Sequence, residues 1–267
     1  MPRKSESDAG ARLTGTQSIE RALTLLREIA AHNRGGSRLL DLATRTGLQR
    51  PTVHRMLKCL ATEDMVQQDP DTHRYFLGPM VFELGLTATP RFNLREVCLP
   101  ALTRIAEATG DTVFLTQRSG LDSVCLDRRE GTFPIKTFTL EIGMRRPLGV
   151  GTGSLAILSA LPEEEIQKAV AANAGRLPEY GLNPGNLLAQ VKRSQKLGYA
   201  MREVPGIAGV RSVGQALRNQ SGIAFAALSV STITSRMSEK RATEVAQLLK
   251  SESRQIERQL ASGSEHR

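Results

Sequence analysis

Apolar residues along this chain fall first into helical spacing and later into alternation. Ile19, Leu23, Leu26 and Ala30 recur at helical intervals through SIERALTLLREIAAH, with Ser18 placed to cap, and predict a helix broken at His32-Asn33-Arg34-Gly35-Gly36. A second, short helix is predicted over about 38–46, with Leu39, Leu42 and Ala43 facing inward and Gly47 ending it. A third opens near Arg50. Pro51 suits its first turn, where a missing N–H costs nothing, and Val53, Met56, Leu57 and Leu60 share one face. MVQQ and RYFLG then flank Asp69-Pro70-Asp71-Thr72, a strong turn sequence, so two short strands form a hairpin. Three helices followed by a β-wing predict a winged helix-turn-helix.

Residues 1–15 lack periodicity and read as a flexible arm, and PMVFELGLTATP over 79–90 as a linker helix ending before Pro90. The pattern then changes. A helix over about 93–109 precedes two strand candidates, DTVFLTQ and SVCLDRRE, on either side of Ser119-Gly120. FPIKTFTL predicts another strand, Phe133, Ile135 and Thr137 alternating with Pro134, Lys136 and Phe138. Helices are predicted over 154–160, after Pro162 with three glutamates in the first turn, and over about 185–197. GVRSVGQAL and GIAFAALSV are late strands, the last apolar enough to be central, and 237–260 is a long amphipathic helix with Val245, Leu248, Leu249, Ile256 and Leu260. The class is α+β with a mostly antiparallel sheet. The expected organisation is arm 1–15, reader 16–78, linker helix 79–90, a second domain 91–260 and a flexible tail 261–267.

Charge adds less than its total suggests. The 267 residues carry a net +9, yet residues 1–90 net only +2 and residues 91–267 the other +7. Placement matters more: between Ile29 and Thr62, Arg34, Arg38, Arg45, Arg50, Arg55 and Lys58 face Asp41 alone, a local +5. On the third helix Arg55, Lys58 and Thr62 lie opposite the apolar stripe, which suits a helix entering a major groove. Arg55 is placed for guanine edges or phosphate, and Arg74 on the wing for the DNA backbone. Arg45, Arg50 and Thr52 complete the expected DNA-contacting set. His54 flanks the stripe and reads equally as a DNA contact or a structural residue; Cys59 reads as a packing residue.

Composition narrows the remaining classes. There is no long apolar run and no signal-peptide core in MPRKSESDAGARLTG, so a cytoplasmic protein is expected. Cys59, Cys98 and Cys125 are too widely spaced for a disulfide framework or metal knuckle, and the four histidines show no ligand spacing, so neither metal nor cofactor is expected. Catalysis is disfavoured too. The second domain has no histidine before His266, no nucleophile or phosphate motif, and Asp127 and Glu130 read as surface charges beside Arg128 and Arg129.

Over about residues 16–260 the chain resembles the isocitrate lyase regulator (IclR) family of bacterial transcription factors. The N-terminal resemblance rests on QSIERALTLL, LATRTGLQRPTVHRML and DPDTHRYFLG. The C-terminal resemblance rests on ATGDTVFL, CLDRRE, PLGVGTGSLAILSALPEEE, LGYA, PGIAGVRSV and FAALSVS. It implies a winged helix-turn-helix domain, a linker helix and a GAF-like effector-binding domain, acting as a dimer or tetramer on palindromic operators. It also implies a small-molecule effector pocket, which carries over here to Leu148, Thr152, Gly153, Arg202, Ser212, Ser229 and Ser231.

The chain departs from the family pattern inside that pocket. PLGVGTGSLA stands where PLHATALGKA is common, so Gly149 replaces His, Ser154 Gly and Leu155 Lys; Ser212 replaces a frequent Cys, and Arg202 stands where an acid is common. Specificity is therefore not transferable. Read physically, glycines at 149, 151 and 153 near a helix start favour an anion, and Ser229 and Ser231 at i, i+2 present two hydroxyls to one side. A small organic acid held with Arg202 is the expected effector, the bland reading being a tight turn and serines bonded to backbone. The expected function is an effector-controlled, sequence-specific regulator, repression being the default. An activator of the same fold and an effector-independent DNA-binding protein are the alternatives.

Overall fold

A computed structural model describes residues 16–88 and 94–263; the arm at 1–15, the end of the expected linker helix at 89–90, the start of the next helix at 93 and the last tail residues at 264–267 lie outside the described residues. The chain divides into two units, one through Arg91 and one from Phe92.

The first unit contains helices α1 (Gln17–Ala31), α2 (Leu39–Thr46) and α3 (Arg50–Thr62), the antiparallel strands β1 (Val66–Gln68) and β2 (Tyr75–Leu77), and helix α4 (Pro79–Ala88). Its core is Leu25, Ile29, Leu42, Ala43, Val53, Leu57, Val66 and Tyr75, with Met56 and Leu60 packed beside it. α1 buries a different face from the one expected. Ala22, Leu25, Leu26 and Ile29 also stand at i, i+3, i+4 and i+7, and that stripe faces inward, leaving Ile19 61% and Leu23 46% exposed and Ala30 outside. A helix with two apolar stripes does not reveal which one the core takes. The helix also begins one residue before Ser18, which is therefore not its cap. α2 ends at Gly47, whose φ of 67° is left-handed backbone that glycine adopts without strain.

The second unit begins with α5 (Leu94–Thr109), β3 (Thr112–Ser119), β4 (Asp122–Arg129) and β5 (Arg145–Pro147). It continues through α6 (Thr152–Ser159), α7 (Glu163–Asn173), α8 (Pro184–Leu197), β6 (Ala200–Glu203), β7 (Val210–Arg218), β8 (Ala224–Ile233) and α9 (Glu239–Gly263). The strands form one antiparallel sheet in the order β5-β4-β3-β8-β7-β6, so β8 is internal, as its apolar run predicts. Alternation divides the faces. Val113, Leu115, Val213, Leu228 and Val230 join residues of α5 and α9 in one core, while Ala216 and Ala227 join α6, α7 and α8 in another.

Several expectations are corrected here. Residues 133–140 form no strand. Pro134 has no N–H to give a ladder, and Thr137 instead accepts nothing from a neighbouring strand: its N–H donates to Thr112 Oγ1 at 3.4 Å and its hydroxyl to the Ser231 carbonyl at 2.9 Å. The edge position belongs to β5, which pairs Ser123 with Arg146. Asp127 is buried, not superficial, and meets Arg95 at 3.1 Å and Arg129 at 3.6 Å. α9 continues through residues 261–263, the first part of the expected tail.

Candidate functional sites

The recognition face of the first unit is built by α3. Gln49, in extended conformation, turns the chain, Pro51 occupies the first turn, and burying Val53 and Leu57 directs the opposite side outward. Arg50, His54, Arg55, Lys58 and Thr62 are exposed, as is Arg45 on α2; Thr52 is half-buried. Arg45, Arg50, Arg55 and Lys58 make no ion pair among the described residues, so their charge is uncompensated locally. Cys59 is exposed as well, against its expected packing role.

The wing is fastened to the turn between α1 and α2. Backbone groups of Ser37 and Tyr75 exchange hydrogen bonds at 3.0 and 2.8 Å, and Asn33 Oδ1 accepts the Leu77 N–H at 2.7 Å. Arg74, expected on the DNA backbone, donates from Nη1 to the carbonyls of Gly35 and Gly36 at 3.0 and 3.1 Å. Gly36 is required there: its φ is 65°, and a methyl group would lie 2.5 Å from the Phe76 ring. At the wing tip, Asp69 accepts the Thr72 hydroxyl and N–H at 2.6 and 2.7 Å, which holds its carboxyl below the usual range.

In the second unit, register places the expected effector residues in two rows on the sheet face under α6. One row runs Thr112–Ser231–Ser212–Arg202, the next Phe114–Ser229–Gly214–Ala200. The start of α6 is seated on these rows. A methyl at Gly214 would lie 3.0 Å from the Thr152 carbonyl oxygen, and one at Gly153 3.0 Å from Thr116 Oγ1 and 3.4 Å from Ser229 Oγ. Six of the seven residues therefore converge. Leu148 sits apart in the apolar cluster beneath α6, α7 and α8.

The hydroxyls are partly self-satisfied. Ser231 donates to Ser212 at 2.8 Å and Ser212 to the Val230 carbonyl at 2.9 Å, while the Gly149 N–H donates to Ser154 Oγ at 2.8 Å. What lacks partners lies alongside: Thr116 Oγ1, Thr152 Oγ1 and Arg202 Nε are buried with no hydrogen bond. Arg202 spends one N–H on the Gly149 carbonyl at 3.2 Å and has no carboxylate within ion-pairing distance among the described residues. Burial pushes its pKa down to about 10, so it remains cationic at neutral pH. It also lines a groove of about 460 Å³ with Tyr180, Leu182, Asn186, Gln190 and Val204.

Thr112, Phe114 and Thr116 are the residues of this face that the sequence reading missed. Their signal is the alternation in DTVFLTQ, obscured because both faces of β3 are covered. Among the described residues no three His, Cys, Asp or Glu side chains gather to hold a metal, and no helix is long and apolar enough to cross a membrane.

Comparison with known proteins bears on both units. Residues 18–70 match the IclR helix-turn-helix domain and residues 86–258 the bacterial transcriptional regulator IclR C-terminal domain. The chain is 25% identical over 244 residues to the HTH-type transcriptional repressor AllR of Escherichia coli (strain K12), covering 91% of this chain and 89% of that protein. It is 28% identical over 233 residues to the acetate operon repressor of Salmonella typhimurium, covering 86% and 84%. An IclR homolog from Microbacterium hydrocarbonoxydans, crystallised with 4-hydroxybenzoate, shares the fold with a TM-score of 0.71 at 19% identity, covering 92% of this chain and all of that one.

Proposed function

The chain belongs to the IclR family of bacterial transcriptional regulators, DNA-binding proteins rather than enzymes, and from that premise we propose that it is a repressor released or retained on its operator by a small carboxylate. The observation that carries the effector half is Arg202: a half-buried guanidinium facing a polar sheet row, with one nitrogen unpartnered and no acid beside it. A cation desolvated in that way is costly alone and favourable once an anion arrives. Thr116, Thr152, Gly153, Ser212, Ser229 and Ser231 complete the pocket, and Leu148 supports it from beneath. Relatives named as repressors support repression, and a bound aromatic acid in a neighbour of the same fold supports an acid ligand.

The DNA half rests on α3, with Arg55 and Lys58 toward the groove, Arg45, Arg50, Thr52 and His54 around them, and Arg74 holding the wing in place. Paired recognition helices read half-sites one helical turn or a multiple apart, so the active form is an oligomer on a palindrome, and α4 connects reader to sensor. Effector binding then shifts the population of DNA-competent arrangements. Footprinting on DNA flanking the gene, repeated across a carboxylate panel, tests both halves. A single protected palindrome whose occupancy responds to one acid is expected. Uniform coating of all DNA, or protection indifferent to every acid, refutes the corresponding half.

A further inference from the structure

The proposed effector site holds a second cation in the same state as the first. Nine arginines of the second unit's described residues are half-buried: Arg118, Arg128, Arg129, Arg145, Arg146, Arg202, Arg211, Arg236 and Arg241. Seven reach a carboxylate, as in Arg118–Glu165 at 2.8 Å, Arg145–Asp122 at 3.0 Å and Arg241–Asp111 at 2.8 Å. The two that do not are Arg146 and Arg202. Tyr180 relates the two: the Arg146 guanidinium carbon lies 5.9 Å from the centre of its ring, and Tyr180 and Arg202 line one groove.

Arg146 is held but not neutralised. It donates from Nη2 to the Thr139 carbonyl at 3.1 Å, and its register partner is Ser123, which places it on the sheet face that also carries Arg202. Burial disfavours its charge, as it does that of Arg202. Everywhere else in this unit a half-buried guanidinium has been given an acid of the protein's own. Leaving two without one, the first beside the Tyr180 ring and the second in the groove that Tyr180 lines, reserves two positive positions for charge brought from outside.

Resting on the reading of Arg202 as an effector anchor, we propose that the effector is a compact dicarboxylate, one carboxylate held by Arg202 and the other by Arg146, with Tyr180 packed against the chain between them. Arg146 is thereby a specificity residue: it distinguishes a dianion from a monocarboxylate of the same length.

Calorimetric titration of the full chain with matched pairs (malonate and propionate, succinate and butyrate, glutarate and valerate) at constant ionic strength tests this. One dicarboxylate should bind about 10- to 100-fold more tightly than its partner, the range expected for a charge-assisted hydrogen-bonded contact. Arg146→Gln should weaken the dicarboxylate and bring that ratio to within about twofold, whereas Arg202→Gln should weaken both acids. A ratio that survives Arg146→Gln, or a wild-type protein binding both acids of every pair equally, overturns the assignment of Arg146 and leaves the Arg202 site standing. Failure of every acid to bind wild type overturns the carboxylate site itself, and the dicarboxylate with it. Should Arg146→Gln not fold, Arg146→Lys carries the test: the dicarboxylate-to-monocarboxylate affinity ratio falls, and a ratio equal to wild type overturns the proposal.

Discussion

Replacing Arg202 with methionine should stabilise the protein in the absence of effector, although it deletes a residue of the proposed binding site. The magnitude follows from the environment of the side chain. Burial lowers its pKa from the ordinary arginine range to about 10, and at 1.36 kcal/mol per pH unit this is an uncompensated cost of roughly 3 kcal/mol. Solvent still reaching the side chain reduces that figure, and losing the bond to the Gly149 carbonyl returns about 1 kcal/mol. A net gain of about 1–2 kcal/mol remains, which for a domain of this size raises Tm by roughly 2–6 °C. Methionine preserves an unbranched apolar stem in a site that keeps its shape. The pH dependence has a definite sign. Below about pH 10 the wild-type side chain is charged in both folded and unfolded states and the penalty is complete. From about pH 10 up to the ordinary arginine range the unfolded chain binds the extra proton, so wild-type stability rises relative to the variant and the gap narrows. Differential scanning calorimetry at pH 7 and near pH 11 measures both effects. A variant melting below wild type at pH 7, without ligand, refutes the claim that this arginine is an unpaid buried charge awaiting an anion.

Three further outcomes are expected. Arg55→Ala should cost roughly 1–3 kcal/mol of operator affinity by fluorescence anisotropy if its contact is bidentate to a base, whereas equal loss on random DNA assigns it to phosphate. Leu57→Ala should destabilise the first unit by about 2–5 kcal/mol in chemical denaturation, because that side chain is fully buried against α1 and α2; an unchanged transition would contradict its place in the core. A thiol reagent at pH 8 should modify Cys59 alone in the native protein, since burial pushes the Cys98 and Cys125 thiols up to about 12; rapid reaction of two or three thiols would show the sheet core to be open.

Legibility in the sequence varied with how local the deciding physics was. Helices α2 and α3 and the wing were readable because Gly47, Pro51 and Asp69-Pro70-Asp71-Thr72 act on their own backbone. The buried face of α1 was not, since two stripes compete and only the partner helices choose. Alternation over 133–140 resembled a strand, yet that segment hydrogen-bonds to Thr112 and Ser231 instead of a ladder neighbour. The serines of the proposed effector face were correctly placed on one side of the sheet by their period of two, but their mutual bonding depends on cross-strand register. Arg146 and Tyr180 carry no motif that links them, and their proximity exists only in the folded unit.

The departure at Arg202 has a consequence wider than one contact. Where the family resemblance implies an acid, this chain places a cation on β6 in register with Ser212. Such an inversion changes which ligands can be desolvated: a site with a fixed carboxylate favours donors, whereas one with two uncompensated guanidiniums repels cations and leaves neutral polar ligands unable to repay the burial. The repressors to which this chain is similar therefore inform its fold and its DNA-reading half more than its effector. The +7 carried by residues 91–267 sharpens the same point. Most of its half-buried arginines are already neutralised by internal acids, so the share available to a ligand is concentrated at two side chains rather than spread over the surface. Added salt screens a diffuse surface attraction more strongly than a partly buried pair. Effector affinity that falls only weakly between 50 and 500 mM ionic strength would thus separate binding at Arg146 and Arg202 from nonspecific attraction to a basic protein, and a steep fall would favour the latter.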